Sequence, residues 1–335
     1  MPINNEKPYK RELIPLTLDE IDQLLIDFKD IEVDVSTEKT SRYYDNYINP
    51  KVKIEEISKK VEEASGQISE MFQYIKSNDE VPIKEIQNDI IPIINEATEI
   101  PHVFHLFETL HKKDEYTYRH NICVGVISGL IGKWLGLNEE VLREVELAGL
   151  LHDIGKTKVP TQILQKASKL TETEYKKMKQ HTIYGYELLK KTPNLSESIA
   201  VTALQHHERE DGMGYPFRLK GSQIHPYAKI VAVADVFHAM SSDRVYRKAT
   251  PFYQVIKEMN NNVYGKFDPN ILVVFLRRIM ETLVGKQVRL TDGRIGNIIM
   301  NHPYNPVYSI VQLENKEFID LRNEMDVRIE KVFRM

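Results

Sequence analysis

His206-His207-Glu208-Arg209-Glu210-Asp211-Gly212-Met213-Gly214-Tyr215-Pro216 sets two adjacent imidazoles in front of an acidic, glycine-rich loop that closes on Gly-Tyr-Pro. Adjacent histidines suit an apolar core poorly, because each ring carries two nitrogens that want polar partners. A divalent metal is such a partner, since neutral imidazole is a common metal ligand. Residues i and i+1 lie roughly 100° apart on a helix, so both reach one ion only near a helix end. The glycines that follow supply that end. The stretch therefore predicts a helical scaffold that carries a metal site, and the neighbouring segments test it.

Upstream and downstream of this loop, from about Pro101 to Met280, the chain reads as nearly all helix. Glu115 to Trp134 forms one helix with His120, Val124, Ile127 and Ile131 on a single face, and Gly125, Gly129 and Gly132 allow a close neighbour. Asn138 caps the next helix, whose apolar end Leu147 to Leu151 runs into His152-Asp153-Ile154-Gly155-Lys156. Thr171 and Glu174 make a capping box for a helix carrying Met178, His181, Gly185 and Leu188 on one face. Ser196 caps the helix that ends at His206. Beyond the glycine loop, Tyr227 to Ser241 forms a small-residue helix with Asp235 on its apolar face, where a carboxylate is costly unless paired or bound to metal.

Collected, the candidate ligands are His120, His152, Asp153, His181, His206, His207 and Asp235. Five histidines and two aspartates suit two ions better than one, because a single site uses three or four protein ligands and keeps a water position open. Asp153 is placed to bridge, with His120, His152 and Asp235 completing one site and His181, His206 and His207 the other. Imidazole and carboxylate without thiolate point to iron, manganese or zinc rather than copper or calcium. Two such ions about 3.5–4 Å apart polarise a phosphoryl oxygen and lower the pKa of water from about 15.7 toward about 7, which is phosphoester hydrolysis chemistry.

The motifs, in order and at near-usual spacing, resemble the HD-GYP domain, a branch of the HD metal-dependent phosphohydrolases. The matching pieces are Tyr116-Thr117-Tyr118-Arg119-His120, His152-Asp153-Ile154-Gly155-Lys156, and His181-Thr182 with Gly185. They continue with His206-His207-Glu208, Asp211-Gly212-Met213-Gly214-Tyr215-Pro216, Leu219-Lys220-Gly221 with Ile224, and Val233-Ala234-Asp235-Val236-Phe237 through Arg244 and Tyr246-Arg247. The resemblance implies hydrolysis of cyclic di-GMP to a linear dinucleotide or onward to GMP, with a metal role for the seven ligands. It implies that Asp153 and Lys156 are catalytic, that Lys156 contacts a substrate phosphate, that Arg244 and Arg247 grip the other phosphate or a guanine, and that Tyr215 lines the substrate pocket.

There are departures. Some members hold a third metal with a glutamate one turn before the first histidine; Tyr116 stands there, with Glu115 one step off, so two divalent ions are expected, iron or manganese first. The usual aspartate three residues after Asp235 is His238, the usual glycine before Leu219 is Arg218, and the usual proline after Arg244 is Val245. His238 lies on the ligand face, as an extra ligand or a partner of one. Two rival readings remain: the same hydrolysis on another cyclic nucleotide or dinucleotide, and a signalling adaptor whose metal site is only structural.

The flanks carry no visible chemistry. Thr17 and Glu20 make a capping box for a helix around Leu18 to Phe28, and Glu32 to Pro50 reads as irregular. The helix from about Lys53 to Lys76 places Ile54, Ile57, Val61, Ala64, Ile68, Met71 and Ile75 in a three–four spacing. That seam packs either on the chain's own body or on a second copy as a homodimer. A second helix starts near Pro82, and Pro92 kinks or breaks it. From Gly285 the pattern alternates, with Asp292-Gly293 as a hairpin turn, and predicts a small β-rich, barrel-like domain.

The expected architecture is mainly α: a helical N-terminal region over 1–100, an HD-type helical bundle over 101–281, and a small β-rich domain over 282–335. Of 335 residues, 41% are hydrophobic and 28% charged, and the net charge of -4 argues against nucleic acid polymers as partners. The longest apolar run, Ile271 to Leu276, is far too short to span a bilayer. One cysteine, Cys123, excludes a disulfide framework and a cysteine zinc site. A cytoplasmic protein is expected.

Overall fold

A 29-residue helix, α1 (Pro50–Asn78), opens the described part of the chain. The structure, a computed structural model, describes residues 50–100, 106, 116–166, 168–242, 250–261, 265–303, 305–324 and 326–333. The readings made for residues 1–49, and those for Arg244, Val245 and Arg247, lie outside them. Along α1, Ile57, Val61, Ala64, Ile68 and Ile75 are fully covered, and Ile54 and Phe72 nearly so. They pack on α2 (Ile91–Thr98) and α3 (Tyr116–Trp134) of the same chain. Each buried isoleucine contributes about 1.5–3 kcal/mol. The ring edge of Phe72 meets Tyr118 at 5.4 Å, Lys60 pairs with Glu96 at 2.8 Å, and Arg119 pairs with Glu62. The seam that suited a homodimer is thus covered by the chain's own helices, because α3 presents a matching apolar face, and this stripe is not left free for a second copy.

Pro92 shapes the entry to α2. Proline lacks an N–H and its ring crowds the carbonyl four residues back. The turn before it widens into a π-helical turn, Ile86–Ile90, and Pro92 falls in the first turn of α2.

Helix α3 is the centre of the bundle, touching α1, α2, α4 (Glu139–Leu151), α8 (Pro226–Ser241) and α10 (Pro269–Glu281). Gly125 lets α2 and α4 close in together: a Cβ there would lie 2.9 Å from Ile94 Cδ1 and 3.2 Å from the Glu146 carbonyl. Asn138 caps α4 by accepting from the Val141 N–H at 3.0 Å, as its position predicts.

Thr171 and Glu174 form the expected capping box at the head of α5 (Glu172–Lys179). The helix then breaks at Gln180 instead of running on, and α6 (His181–Lys190) starts anew. Two side chains compete with the backbone there: His181 Nδ1 binds the Met178 carbonyl at 2.7 Å, and the Thr182 hydroxyl donates to the Lys179 carbonyl at 3.0 Å. Ser196 caps α7 (Glu197–Gln205), which ends at His206. Helix α9 (Phe252–Asn261) lies between α8, α10 and the C-terminal sheet.

The last segment is antiparallel β: β1 (Gln287–Leu290), β2 (Ile295–Asn301), β3 (Ser309–Leu313), β4 (Phe318–Asp320) and β5 (Ile329–Val332), in the order β4-β3-β2-β1-β5. Gly293, at φ +88°, closes the expected hairpin turn. The order is linear, with β4 and β5 at the edges, so the expected barrel is an open sheet. β5 escapes a sequence reading because Arg328, Glu330 and Lys331 dilute its alternation. Among the described residues, no helix is long and apolar enough to cross a membrane.

Candidate metal centre

Five helix ends and faces converge on one buried carboxylate. Asp153 follows α4 directly; Oδ2 lies 3.2 Å from His152 Nε2 and 3.8 Å from His120 Nε2. Oδ1 faces the other way, 3.3 Å from His181 Nε2 and 3.8 Å from His206 Nε2. Asp235, on α8, brings Oδ1 to 3.2 Å from His120 Nε2. Potential ligand atoms fall into two groups, each within 4.8 Å: Asp153, His181, His206 and His207, and His120, His152 and Asp235. The structure thus brings together all seven residues singled out in the sequence, in the grouping their positions suggested. His207 is half-buried and the other six are buried.

The hydrogen bonds fix which ring nitrogen faces inward. His152 Nδ1 binds the Gly149 carbonyl at 2.7 Å, His181 Nδ1 that of Met178 at 2.7 Å, and His206 Nδ1 that of Ala203 at 2.9 Å. A carbonyl only accepts, so each Nδ1 carries the hydrogen, and in the neutral ring Nε2 presents a lone pair to the centre. His120 differs: its Nδ1 lies 2.8 Å from Nδ1 of His238, whose Nε2 lies 3.2 Å from the Ser242 hydroxyl. His238 is therefore a partner of a candidate ligand, the second of the two roles open to it.

Burial keeps most of these rings neutral. It lowers the pKa of His120 and His206, that of His181 to about 4 and that of His207 to about 3. Burial opposes the shift at His152, but the adjoining Asp153 carboxylate prevails and raises it. Burial also opposes ionisation of Asp153 and Asp235, yet Lys156 and the histidines hold Asp153, and His120 holds Asp235, well below the usual carboxylate range. His152 Nε2 and Asp153 Oδ1 are buried without a hydrogen bond. Converging lone pairs, ionised carboxylates and orphaned acceptors are what a pair of divalent cations satisfies, so the donor set fits the metals that the motifs imply.

The loop behind the two histidines is clamped by contacts that only its residue types allow. A Cβ on Gly214 would lie 2.5 Å from Glu208 Cα and 2.6 Å from both Arg209 N and the His207 carbonyl. The loop backbone thus lies directly on the turn that carries His207. Buried Glu208 accepts from the Phe217 N–H at 2.7 Å and the Leu219 N–H at 3.0 Å. Tyr215, which precedes the cis peptide bond to Pro216, lays its ring on His207 at 4.6 Å and 32°. Burial raises its phenol, so it stays a hydrogen-bond donor. Lys156 is half-buried and donates to Asp153 Oδ2.

Three contributors carry no role in the sequence reading. Glu208 stands in the His206-His207-Glu208 motif with no role attached to it. Gly155 reads as a loop glycine, yet a Cβ there would fall 1.9 Å from the His181 carbonyl. Lys266 is half-buried beside the loop, its carbonyl accepting from Glu210 N–H at 3.4 Å; burial and then Arg209 lower its pKa while Asp235 pulls it up. Arg218, where the HD-GYP pattern expects glycine, holds φ +59°, a left-handed conformation that strains a residue bearing a side chain.

The chain is 39% identical over 193 residues to cyclic di-GMP phosphodiesterase PA4108 of Pseudomonas aeruginosa, covering 58% of this chain and 46% of that one. It is 36% identical over 166 residues to 3'3'-cGAMP-specific phosphodiesterase 1 of Vibrio cholerae, covering 49% and 38%. It thus spans about half or less of the length of these curated relatives. In structure it resembles Bd1817, an HDG"Y"P protein from Bdellovibrio bacteriovorus, with a TM-score of 0.53 over 73% of this chain and 80% of that one at 17% identity, a likeness of fold. With His152 and Asp153 side by side at the centre of both clusters, and residues 104–271, half of the chain, matching its profile, the chain belongs to the HD domain family.

Proposed function

We propose that the chain is a phosphodiesterase that opens cyclic di-GMP at a binuclear centre of divalent ions, iron or manganese, and releases the linear dinucleotide. The observation that carries this reading is Asp153, whose two carboxylate oxygens face two separate sets of imidazoles. His120, His152 and Asp235 would hold one ion and His181, His206 and His207 the other, with Asp153 placed between the two groups. Two ions there polarise phosphoryl oxygens and bring the pKa of water toward about 7.

The chain's own groups do the rest. Carbonyls behind His152, His181 and His206 lock their rings so that Nε2 stays a lone-pair donor. Lys156 carries its ammonium to the Asp153 carboxylate and from there contacts a substrate phosphate, offsetting charge that grows during attack at phosphorus. Arg244 and Arg247, in the segment after α8, offer forked guanidinium groups to the second phosphate or a guanine. Lys266 adds positive charge at the loop. Tyr215 lines the pocket and steadies His207. Relatives named as cyclic di-GMP phosphodiesterases support the substrate class. The compartment we propose is the cytoplasm, in keeping with the buried free thiol of Cys123.

The test is hydrolysis of cyclic di-GMP by the manganese- or iron(II)-loaded protein beside Asp153→Ala, with products separated by chromatography. Turnover to the linear dinucleotide in the wild type alone is expected. The Vibrio cholerae relative makes 3'3'-cGAMP the second substrate to include, and faster turnover of it moves the assignment there. Bound metal with no turnover of any cyclic nucleotide leaves the adaptor reading instead.

A further inference from the structure

Away from the metal centre, a cleft of about 230 Å3 opens where α9 meets the C-terminal sheet. Its floor is mostly apolar. Tyr253, Val307 and Leu321 are buried there, and the Tyr253 hydroxyl donates to the Val307 carbonyl. Tyr308 is half-buried on one wall, with its own backbone pinned by bonds to Asn305 at 3.0 Å and His302 at 2.9 Å. The rim is positive: Lys257 comes from α9, and Arg322 and Arg328 from the segments around β4 and β5, against one carboxylate, Glu324.

Two of these cations are not tied down within the chain, whereas Arg322 pairs with Asp320 at 3.5 Å. Among the described residues, the Lys257 ammonium and the Arg328 guanidinium make no ion pair, and Arg328 is anchored through its backbone N–H on Thr291 at 3.1 Å. Two unpaired cations, Lys257 and Arg328, beside one acid, on a chain whose net charge is -4, are a local reversal of sign that draws anions. Guanidinium forks match phosphate oxygens, and tyrosine rings with an apolar floor suit a flat base. At about 230 Å3 the cleft lies below the about 300–1,000 Å3 of typical ligand pockets, so it has room for a base alone, with the sugar and phosphate left at the open rim.

We propose that this cleft is a second, non-catalytic site for a nucleoside monophosphate, its base against Tyr308 and the Tyr253 floor and its phosphate on Lys257 and Arg328. Its position gives it a route to the metal centre. α9 touches both β5 and α8, Phe252 meets Phe237 of α8 edge-on at 6.1 Å, and α8 carries Asp235 and His238. The inference stands independently of which substrate is hydrolysed.

The experiment is calorimetric titration of the full chain with GMP, AMP and inorganic phosphate. It is repeated on the Lys257→Ala/Arg328→Ala double variant and on Asp153→Ala, with thermal melts to verify folding. A nucleotide should bind at least tenfold tighter than phosphate, lose at least tenfold in the double variant, and keep its affinity in Asp153→Ala. Unchanged binding in the double variant, loss in Asp153→Ala alone, phosphate binding as well as the nucleotides, or no binding at millimolar nucleotide would each overturn the proposal.

Discussion

His238 Nδ1 lies 2.8 Å from His120 Nδ1, with the Ser242 hydroxyl 3.2 Å from the far nitrogen of His238. For His120 to offer a lone pair from Nε2, its Nδ1–H must donate to His238, whose Nε2–H then donates to Ser242. The HD-GYP pattern that the sequence resembles has an aspartate at the position of His238, so an imidazole here stands in place of a carboxylate behind the same ligand. His238→Ala should weaken metal binding about 10- to 100-fold, the usual range for losing such a partner, and His238→Asp should bind at least as tightly as the wild type. Competition against a coloured chelator measures this, and equal affinity in all three proteins would remove His238 from the account.

Glu208 holds the Gly-Tyr-Pro loop by two charge-assisted bonds to backbone N–H groups, each worth roughly 1.5–3 kcal/mol. Glu208→Ala should destabilise the protein by about 3 kcal/mol. Glu208→Gln should cost about half, since an amide has one accepting oxygen. Urea midpoints test the order, and an alanine variant within about 0.5 kcal/mol of wild type would show that the loop is held elsewhere.

Glu146 is fully buried between α3 and α4, where the Asn95 amide, oriented to donate, meets its oxygens at 3.0 and 2.6 Å. Burial pushes its pKa up from 4.5 to about 7, with Lys133 opposing. A raised carboxylate pKa means the folded chain keeps a proton that the unfolded chain has lost. Between about pH 4.5 and 7 this group therefore makes stability fall as pH rises, by about 3 kcal/mol in all. Glu146→Gln should match wild type near pH 4.5 and exceed it increasingly up to pH 7, with a constant gain above. A difference in melting temperature that does not change with pH would refute the assignment.

The ligands were legible because each is a polar residue out of place: His120 and Asp235 on apolar helix faces, His152 and His206 at helix ends beside a second ligand. Such residues have few structural explanations, and a shared metal joins them. Glu208 and Glu146 were not legible, since an acid that accepts from a distant N–H and an acid facing a glycine across a helix pair look like solvated acids along the chain. The break at Gln180 depends on carbonyls claimed by His181 and Thr182, a competition that periodicity does not register. The seam of α1 is ambiguous for a different reason: burial against one's own helix and against a partner's demand the same spacing.

That seam has a consequence during synthesis. The apolar stripe of α1 is complete once the ribosome has passed Asn78, but the helix that covers most of it, α3, ends at Trp134. Until α3 is complete, Ile57, Val61, Ile68 and Ile75 lack part of their native cover and present the heptad face of a coiled coil to the surroundings. The nascent chain's first risk of misassembly therefore lies with the same helix in neighbouring nascent chains.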